Sequence, residues 1–416
     1  MEKSPRELHD ERWQRVQTAM ACGTPDRVPI PMMNADFHAR YAGYTLGEVF
    51  YDADKLERAV EKTVLDFEPD CFEQQHTRIF VGRQLDLLDY GPMEWPGGRI
   101  GPDDAFQYLD QEIMTADEYD ELLLDPSWYW LSKVIPRTAR ALAPLAAFPY
   151  PPMLTFSGIA VHTAAFGTPE MKQAMDRLHE VGKCALETVA RERAFIARMA
   201  GLGFPVHRGG ALLCPFDFVV DFLRGGKNGM LDMMRREDKL LALIDRLMKT
   251  FVRRAVDLST RHPVKVVFVP LHWGIDGFMS PAQFKRIYWP QLRTMLMMLI
   301  DAGLQPLVFF EGNVTSRLEI IADVPPGKCT YQFETTDIVR AKDVLGGIAC
   351  VRGGVPASLL ISGSPAEVQD HVKMLIRRVG KGGGYIVDGG AAGIPREARV
   401  ENVRAMFDTV KEHGAY

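Results

Sequence analysis

Trp13, Val16 and Met20 recur at helical spacing near the start of the chain, and Gly23-Thr24-Pro25-Asp26 ends that helix. An apolar run, Arg27-Val28-Pro29-Ile30-Pro31-Met32-Met33, follows and reads as a strand. From there short β-branched or aromatic runs alternate with longer amphipathic stretches, the pattern of βα units around a parallel sheet. The other predicted strands cover residues 153–157, 204–207, 264–269, 306–310, 329–333, 348–351 and 385–387. Residues 283–300 and 365–379 read as crossover helices. The second of these opens on Ser364-Pro365-Ala366-Glu367, which supplies an N-cap, a proline at the first helical position and an early acid.

Eight strands with intervening helices predict an α/β fold, a (β/α)8 TIM barrel with an N-terminal extension. A doubly wound sheet beside a smaller domain shares the same local grammar. Residues 51–150 are less regular. They carry the turn Pro92-Met93-Glu94-Trp95-Pro96-Gly97-Gly98 and the cluster Trp128-Tyr129-Trp130, and predict an insertion capping one end of the barrel. No repeat, low-complexity tract or Ser/Gly linker interrupts residues 1–416, so a single domain is expected.

Composition narrows the partners. A hydrophobic share of 47% with 25% charged residues is that of a globular chain with a large core. Lys+Arg 49 against Asp+Glu 54 gives a net charge of −5, which offers no basic excess for nucleic acid or an anionic membrane. The longest apolar run, near Met295 to Ile300, falls far short of the ~20 residues of a membrane span. The charged start, MEKSPRELHDERWQRV, lacks the apolar region of a secretory signal, and the six cysteines form no C-x-x-C pair. A cytoplasmic location with reduced thiols is expected. The Gly380-Lys381-Gly382-Gly383-Gly384 run precedes a strand, so it reads as a plain loop and not as a phosphate cradle.

In a parallel barrel the chemistry sits where strands end. Polar groups follow the predicted strands in Pro270-Leu271-His272-Trp273, Glu311-Gly312-Asn313, Glu334-Thr335-Thr336-Asp337 and Asp388-Gly389-Gly390. His272, Glu311, Glu334 and Asp388 would then converge on one mouth. The plainer reading of each acid is a loop or N-cap residue. Gly312 permits close backbone approach beside Glu311, and Asn313 adds a donor. Trp273 offers an aromatic wall. His38, after the first strand, and His207 with Arg208, after the strand at 204–207, are further rim candidates.

Read in order, Thr24-Pro25-Asp26-Arg27-Val28-Pro29, Ala42-Gly43-Tyr44-Thr45, Pro215-Phe216-Asp217 through Leu223-Arg224-Gly225, and Met279-Ser280-Pro281-Ala282-Gln283-Phe284 form a pattern. It continues with Glu311-Gly312-Asn313, Asp337 through Lys342, Gly353-Gly354-Val355-Pro356 and Glu401-Asn402-Val403. With these motifs the chain resembles the uroporphyrinogen decarboxylase superfamily, which holds the true decarboxylases and the corrinoid-dependent methyltransferases. The resemblance implies a (β/α)8 barrel, often dimeric, whose cleft accepts a tetrapyrrole or the corrinoid of a partner protein.

Departures from the pattern separate the branches. The decarboxylase branch carries an arginine-rich motif after its first strand, whereas Met33 through Tyr41 holds only Arg40, a poor provision for bidentate carboxylate binding. The thiol-methylating branch binds zinc with a His-x-Cys pair and a later Cys. The matching positions are Phe309, Glu311 and Ala391 or Ala392, so the soft ligands are missing. A carboxylate at Glu311 suits a hard metal, a mixed N/O zinc site or direct proton donation.

The resemblance therefore implies a methyltransferase that moves a methyl group from a small aromatic methyl ether to the cobalt of a corrinoid on a separate carrier protein. Glu311, His272 and Glu334 would be catalytic, with Asn313, Trp273, His38, His207 and Asp388 binding substrate, and Glu311 the ligand if zinc is used. Phe309, Phe310, Trp273 and Trp128 would line a slot for a flat substrate. The alternatives are a decarboxylase of a tetrapyrrole or other carboxylated substrate, using Arg40, Arg208 and Asp217, and a non-catalytic corrinoid-binding module.

Overall fold

The computed structural model describes residues 3–33, 36–148, 156–390 and 393–416. Its barrel has eight parallel staves: β1 (Pro31–Met32), β2 (Cys71–Phe72), β3 (Gly210–Ala211), β4 (Val266–Leu271), β5 (Gln305–Phe310), β6 (Cys329–Phe333), β7 (Ala349–Val355) and β8 (Tyr385–Gly389). β3 through β8 form one continuous ladder, and β1 pairs with β2. Backbone hydrogen bonds join the two pieces into a ring. Phe72 N–H donates to Pro205 C=O at 3.1 Å and His207 N–H to Phe72 C=O at 2.7 Å, while Val387 N–H donates to Pro29 C=O at 3.1 Å.

Side chains alternate across each stave, so every second residue faces the barrel axis. The innermost base layer is apolar: Cys71, Val266, Leu307, Cys350 and Ile386 pack there against Val16, Ala19 and Met20 of the helix Pro5–Met20. Two residues further along, the same alternation brings in Glu73, Phe268, Phe309, Gln332, Arg352 and Asp388. Two further again, at the open end, it reaches Glu311 and Glu334. The barrel thus runs from a plugged hydrocarbon base through a polar middle to an acidic mouth.

The helix Pro5–Met20 starts where its sequence predicts, on a capping box between Ser4 and Glu7. Its Arg15 and the neighbouring Arg27 both pair with the buried Asp70, at 2.6 and 2.7 Å, and Ile30 N–H donates to the same carboxylate at 2.8 Å. The helix Pro365–Arg378 likewise carries the Ser364/Glu367 capping box, and Gly380 through Gly384 is the loop into β8.

One predicted stave is misplaced. Residues 153–155 lie outside the described residues, and Phe156 and Ser157 begin a helix, Phe156–His162. The second stave is Cys71–Phe72, reached through the helix Ala53–Phe67. The irregular stretch expected over 51–150 therefore begins with one regular βα unit. Past β2 the chain leaves the barrel, makes the hairpin Met93–Glu94 with Gln107–Tyr108, and returns along the 33-residue helix Pro169–Gly201. The inserted segment after the hairpin is fastened to the turn that follows β3, with Ile113 and Met114 N–H donating to Leu223 C=O and Gly226 N–H to Asp110.

Candidate active site

The sequence Pro215-Phe216-Asp217-Phe218-Val219-Val220-Asp221-Phe222 follows β3 as the helix Pro215–Val219, started by its proline, and runs into a wider π turn, Val220–Arg224. Residues four apart share a helix face. Asp217 and Asp221 accordingly point to the end of β4, and Phe218 and Phe222 to a neighbouring cavity. Asp217 is buried beneath the loop and accepts from the backbone N–H groups of His272 (2.7 Å) and Trp273 (3.0 Å) and from the Tyr288 hydroxyl. Burial pushes its pKa up to about 6. Asp221 holds the side chains of the same two residues, His272 through Nδ1 and Trp273 through Nε1, both at 2.6 Å.

The other ring nitrogen of His272, Nε2, lies 3.5 Å from Glu311 Oε1. Burial works against a charged imidazole, yet the bonds to Asp221 and Glu311 and the charges of Asp221 and Asp217 outweigh it, so the pKa is pushed up to about 11. At neutral pH the group is an imidazolium clamped between two carboxylates. Glu334, on the next stave, is exposed, and burial together with the charge of Glu311 raises its pKa. Gly312 has φ +145°, and a Cβ there would stand 2.7 Å from Ile275, which explains the glycine after Glu311.

The hairpin hangs Tyr108 over this group. Desolvation raises its hydroxyl pKa even though 67% of the residue is open to solvent; Arg78 pulls the other way, and the charges of Asp221 and Glu311 push it up further. Beside Asp221 lies a cavity of about 260 Å³, lined by Tyr90, Trp130, Leu213, Phe218 and Phe222 among others. Trp130 stacks on Phe218 at 5.7 Å.

The remaining candidates divide. His207 and Asp388 are buried and meet through Arg352, whose Nη1 lies 3.0 Å from His207 Nε2 and whose Nε donates to Asp388 at 2.8 Å. Burial and the Arg352 charge hold His207 well below the ordinary histidine range, hence neutral. His38 is fully buried and neither ring nitrogen has a hydrogen-bond partner. Asn313 is exposed, with its side-chain oxygen taken by the backbone N–H and hydroxyl of Thr315, the turn-forming role of an asparagine. Phe309 stacks on Phe268 inside the barrel, whereas Phe310 faces outward against Tyr331 and Phe333 and lines no slot. Arg40 donates to Arg396 C=O on the surface, Arg208 pairs with Glu73, and Asp217 anchors the His272 loop, so each has a separate partner.

Sequence reading passed over Asp221, Arg352 and Tyr108. The first two leave a signal: an acid spaced four from Asp217 in an otherwise apolar helix, and an arginine at an inward position of an apolar strand. Tyr108 leaves none. Among the described residues no group of three or more His, Cys, Asp or Glu is arranged to hold a metal ion. His272 Nε2 and Glu311, 3.5 Å apart, bring together two side chains of ligand type, fewer than the three protein ligands of a catalytic zinc site, so these residues do not fit the zinc site that the sequence resemblance allowed.

A family model described as uroporphyrinogen decarboxylase (URO-D) matches residues 157–413. A uroporphyrinogen decarboxylase from Syntrophotalea carbinolica is 29% identical over 138 residues, which span 33% of this chain and 38% of that protein. A methyltransferase from Methanosarcina mazei is structurally similar, with a TM-score of 0.62 at 13% identity over 96% of this chain and 97% of that one. No described helix is long and apolar enough to cross a membrane.

Proposed function

The chain belongs to the uroporphyrinogen decarboxylase (URO-D) family, and on that premise we propose that it is a methyltransferase taking a methyl group from a small aromatic methyl ether and passing it to the reduced corrinoid of a carrier protein. The observation that carries this reading is the Asp221–His272–Glu311 chain at the barrel mouth. When the methyl group departs, the ether oxygen keeps the bonding pair and becomes a phenoxide unless a proton meets it. His272 supplies that proton from Nε2, Asp221 holds the ring in place through Nδ1, and solvent returns the proton afterwards. A phenol has a pKa of about 10, close to the value of about 11 at His272, so the transfer is nearly balanced in free energy.

The aromatic cavity of about 260 Å³ beside Asp221 suits one ring. The interior arginines speak against the decarboxylase alternative, because Arg208 and Arg352 are already neutralised by Glu73 and Asp388. Six free cysteines suit a cytoplasmic setting. Incubation with cob(I)alamin and a series of methoxybenzenes, followed by the absorbance of the methylated corrinoid, tests the proposal. Methyl transfer is expected, falling about 10²-fold in Glu311→Gln through loss of the acid's partner. Release of CO2 from uroporphyrinogen without methyl transfer would establish the decarboxylase instead, and corrinoid binding without turnover the third reading.

A further inference from the structure

His272 and Glu311 follow the neighbouring staves β4 and β5, and the loops beyond them are fastened to each other at several points. Asp276 N–H donates to Asn313 C=O at 2.8 Å, and the Ser316 hydroxyl donates to the Asp276 carboxylate at 2.6 Å. The strongest tie is Arg317, which ends the short 3-10 helix Thr315–Arg317 after β5 and is fully buried. Its Nη1 pairs with Asp276, while Nη2 donates to Ile275 C=O at 2.9 Å and to Met279 C=O at 2.5 Å. The guanidinium also lies 5.0 Å from the centre of the Phe284 ring. On the other side Thr336, after β6, accepts from Val314 N–H at 3.0 Å and donates to Gly312 C=O at 3.2 Å. The backbone that follows Glu311 is thus held from both neighbouring staves.

Burying a whole guanidinium is unfavourable unless its donors are used. Here the planar fork meets three acceptors, on Ile275, Asp276 and Met279, a spread that the point charge of a lysine does not match. All three lie on the loop that carries His272, and the grip on Ile275 holds its side chain against Gly312, the residue after Glu311. His272 itself is held closely on one side only. Its backbone N–H reaches Asp217 at 2.7 Å and its Nδ1 reaches Asp221 at 2.6 Å, whereas Nε2 and Glu311 are 3.5 Å apart. A displacement of the β4 loop against the β5 loop is therefore felt first in that longer contact. We infer that Arg317, acting through Asp276 and the carbonyls of Ile275 and Met279, is a positioning residue that seats His272 against Glu311. The charged groups facing the ring are Asp217 and Asp221 from the segment after β3 and Glu311 from β5, and only Glu311 stands on the side that Arg317 governs. The seating does not depend on the methyl-transfer reading; its consequence for the rate rests on it.

An NMR titration of the full chain labelled in its histidine rings, with His272 assigned through His272→Gln, reads the seating without any turnover. Arg317→Met is expected to lower the His272 midpoint by at least about one pH unit as the hold of Glu311 is lost. Arg317→Lys should recover part of that shift, and Asp276→Asn should move the midpoint in the same direction. Asp70→Asn, at the closed base of the barrel, is the purely structural comparison and should leave the midpoint where it is. An unchanged midpoint in a folded Arg317→Met overturns the inference, and if that variant does not fold, an unchanged midpoint in Asp276→Asn does so. An equal shift in Asp70→Asn overturns it as well. In methyl transfer, Arg317→Met should lower kcat about tenfold with little change in KM. A shifted midpoint in a protein that transfers no methyl group to cob(I)alamin removes the methyltransferase reading and leaves the positioning role. Methyl transfer with both rate and midpoint unaltered in Arg317→Met does the reverse.

Discussion

His272 keeps its proton because two carboxylates outweigh the penalty of burying a charge. Asp221→Asn removes the nearer of them, so the alkaline fall in methyl transfer moves from about 11 towards the ordinary histidine value of 6.5. A pH–rate profile of the two proteins checks this. The same raised pKa is a stability contribution, fully present below 6.5 and lost as pH climbs through about 11. Urea midpoints of the wild type should therefore decline between pH 7 and pH 11 more steeply than those of Asp221→Asn. One residue past Glu311, Gly312→Ala puts a Cβ 2.7 Å from Ile275 at φ +145°. The strain should cost about 1–3 kcal/mol in denaturant unfolding.

Among the elements, β2 shows how a stave hides in a sequence. Its ladder is two residues long and flanked by Asp70 and Glu73, which read as loop chemistry. Both acids are buried only because distant arginines meet them: Arg15 and Arg27 at Asp70, Arg208 at Glu73. Asp70→Asn leaves two guanidiniums short of a partner and should destabilise the protein by about 3–5 kcal/mol, measured by urea titration. By contrast the helix Pro365–Arg378 is legible from four residues, since its capping box satisfies the first-turn N–H groups locally.

The molecule as a whole is a ring whose base is closed by a helix from outside it. Val16 and Met20 cover the apolar layer of Cys71, Val266, Leu307, Cys350 and Ile386. Deleting residues 3–20 should therefore lower unfolding free energy by about 3–6 kcal/mol, at roughly 1.5–3 for each large side chain uncovered, and increase binding of a hydrophobic dye. What the sequence by itself determined was the alternation of strands and helices and the rim positions of His272, Glu311 and Glu334, because periodicity and capping depend on neighbours within a few residues. The proton on His272 and the pairing of His207 with Asp388 through Arg352 were decided only by the tertiary structure. Each depends on which charges meet across 36 to 145 residues of chain, as Arg352 meets Asp388 and His207, and no local spacing encodes that distance.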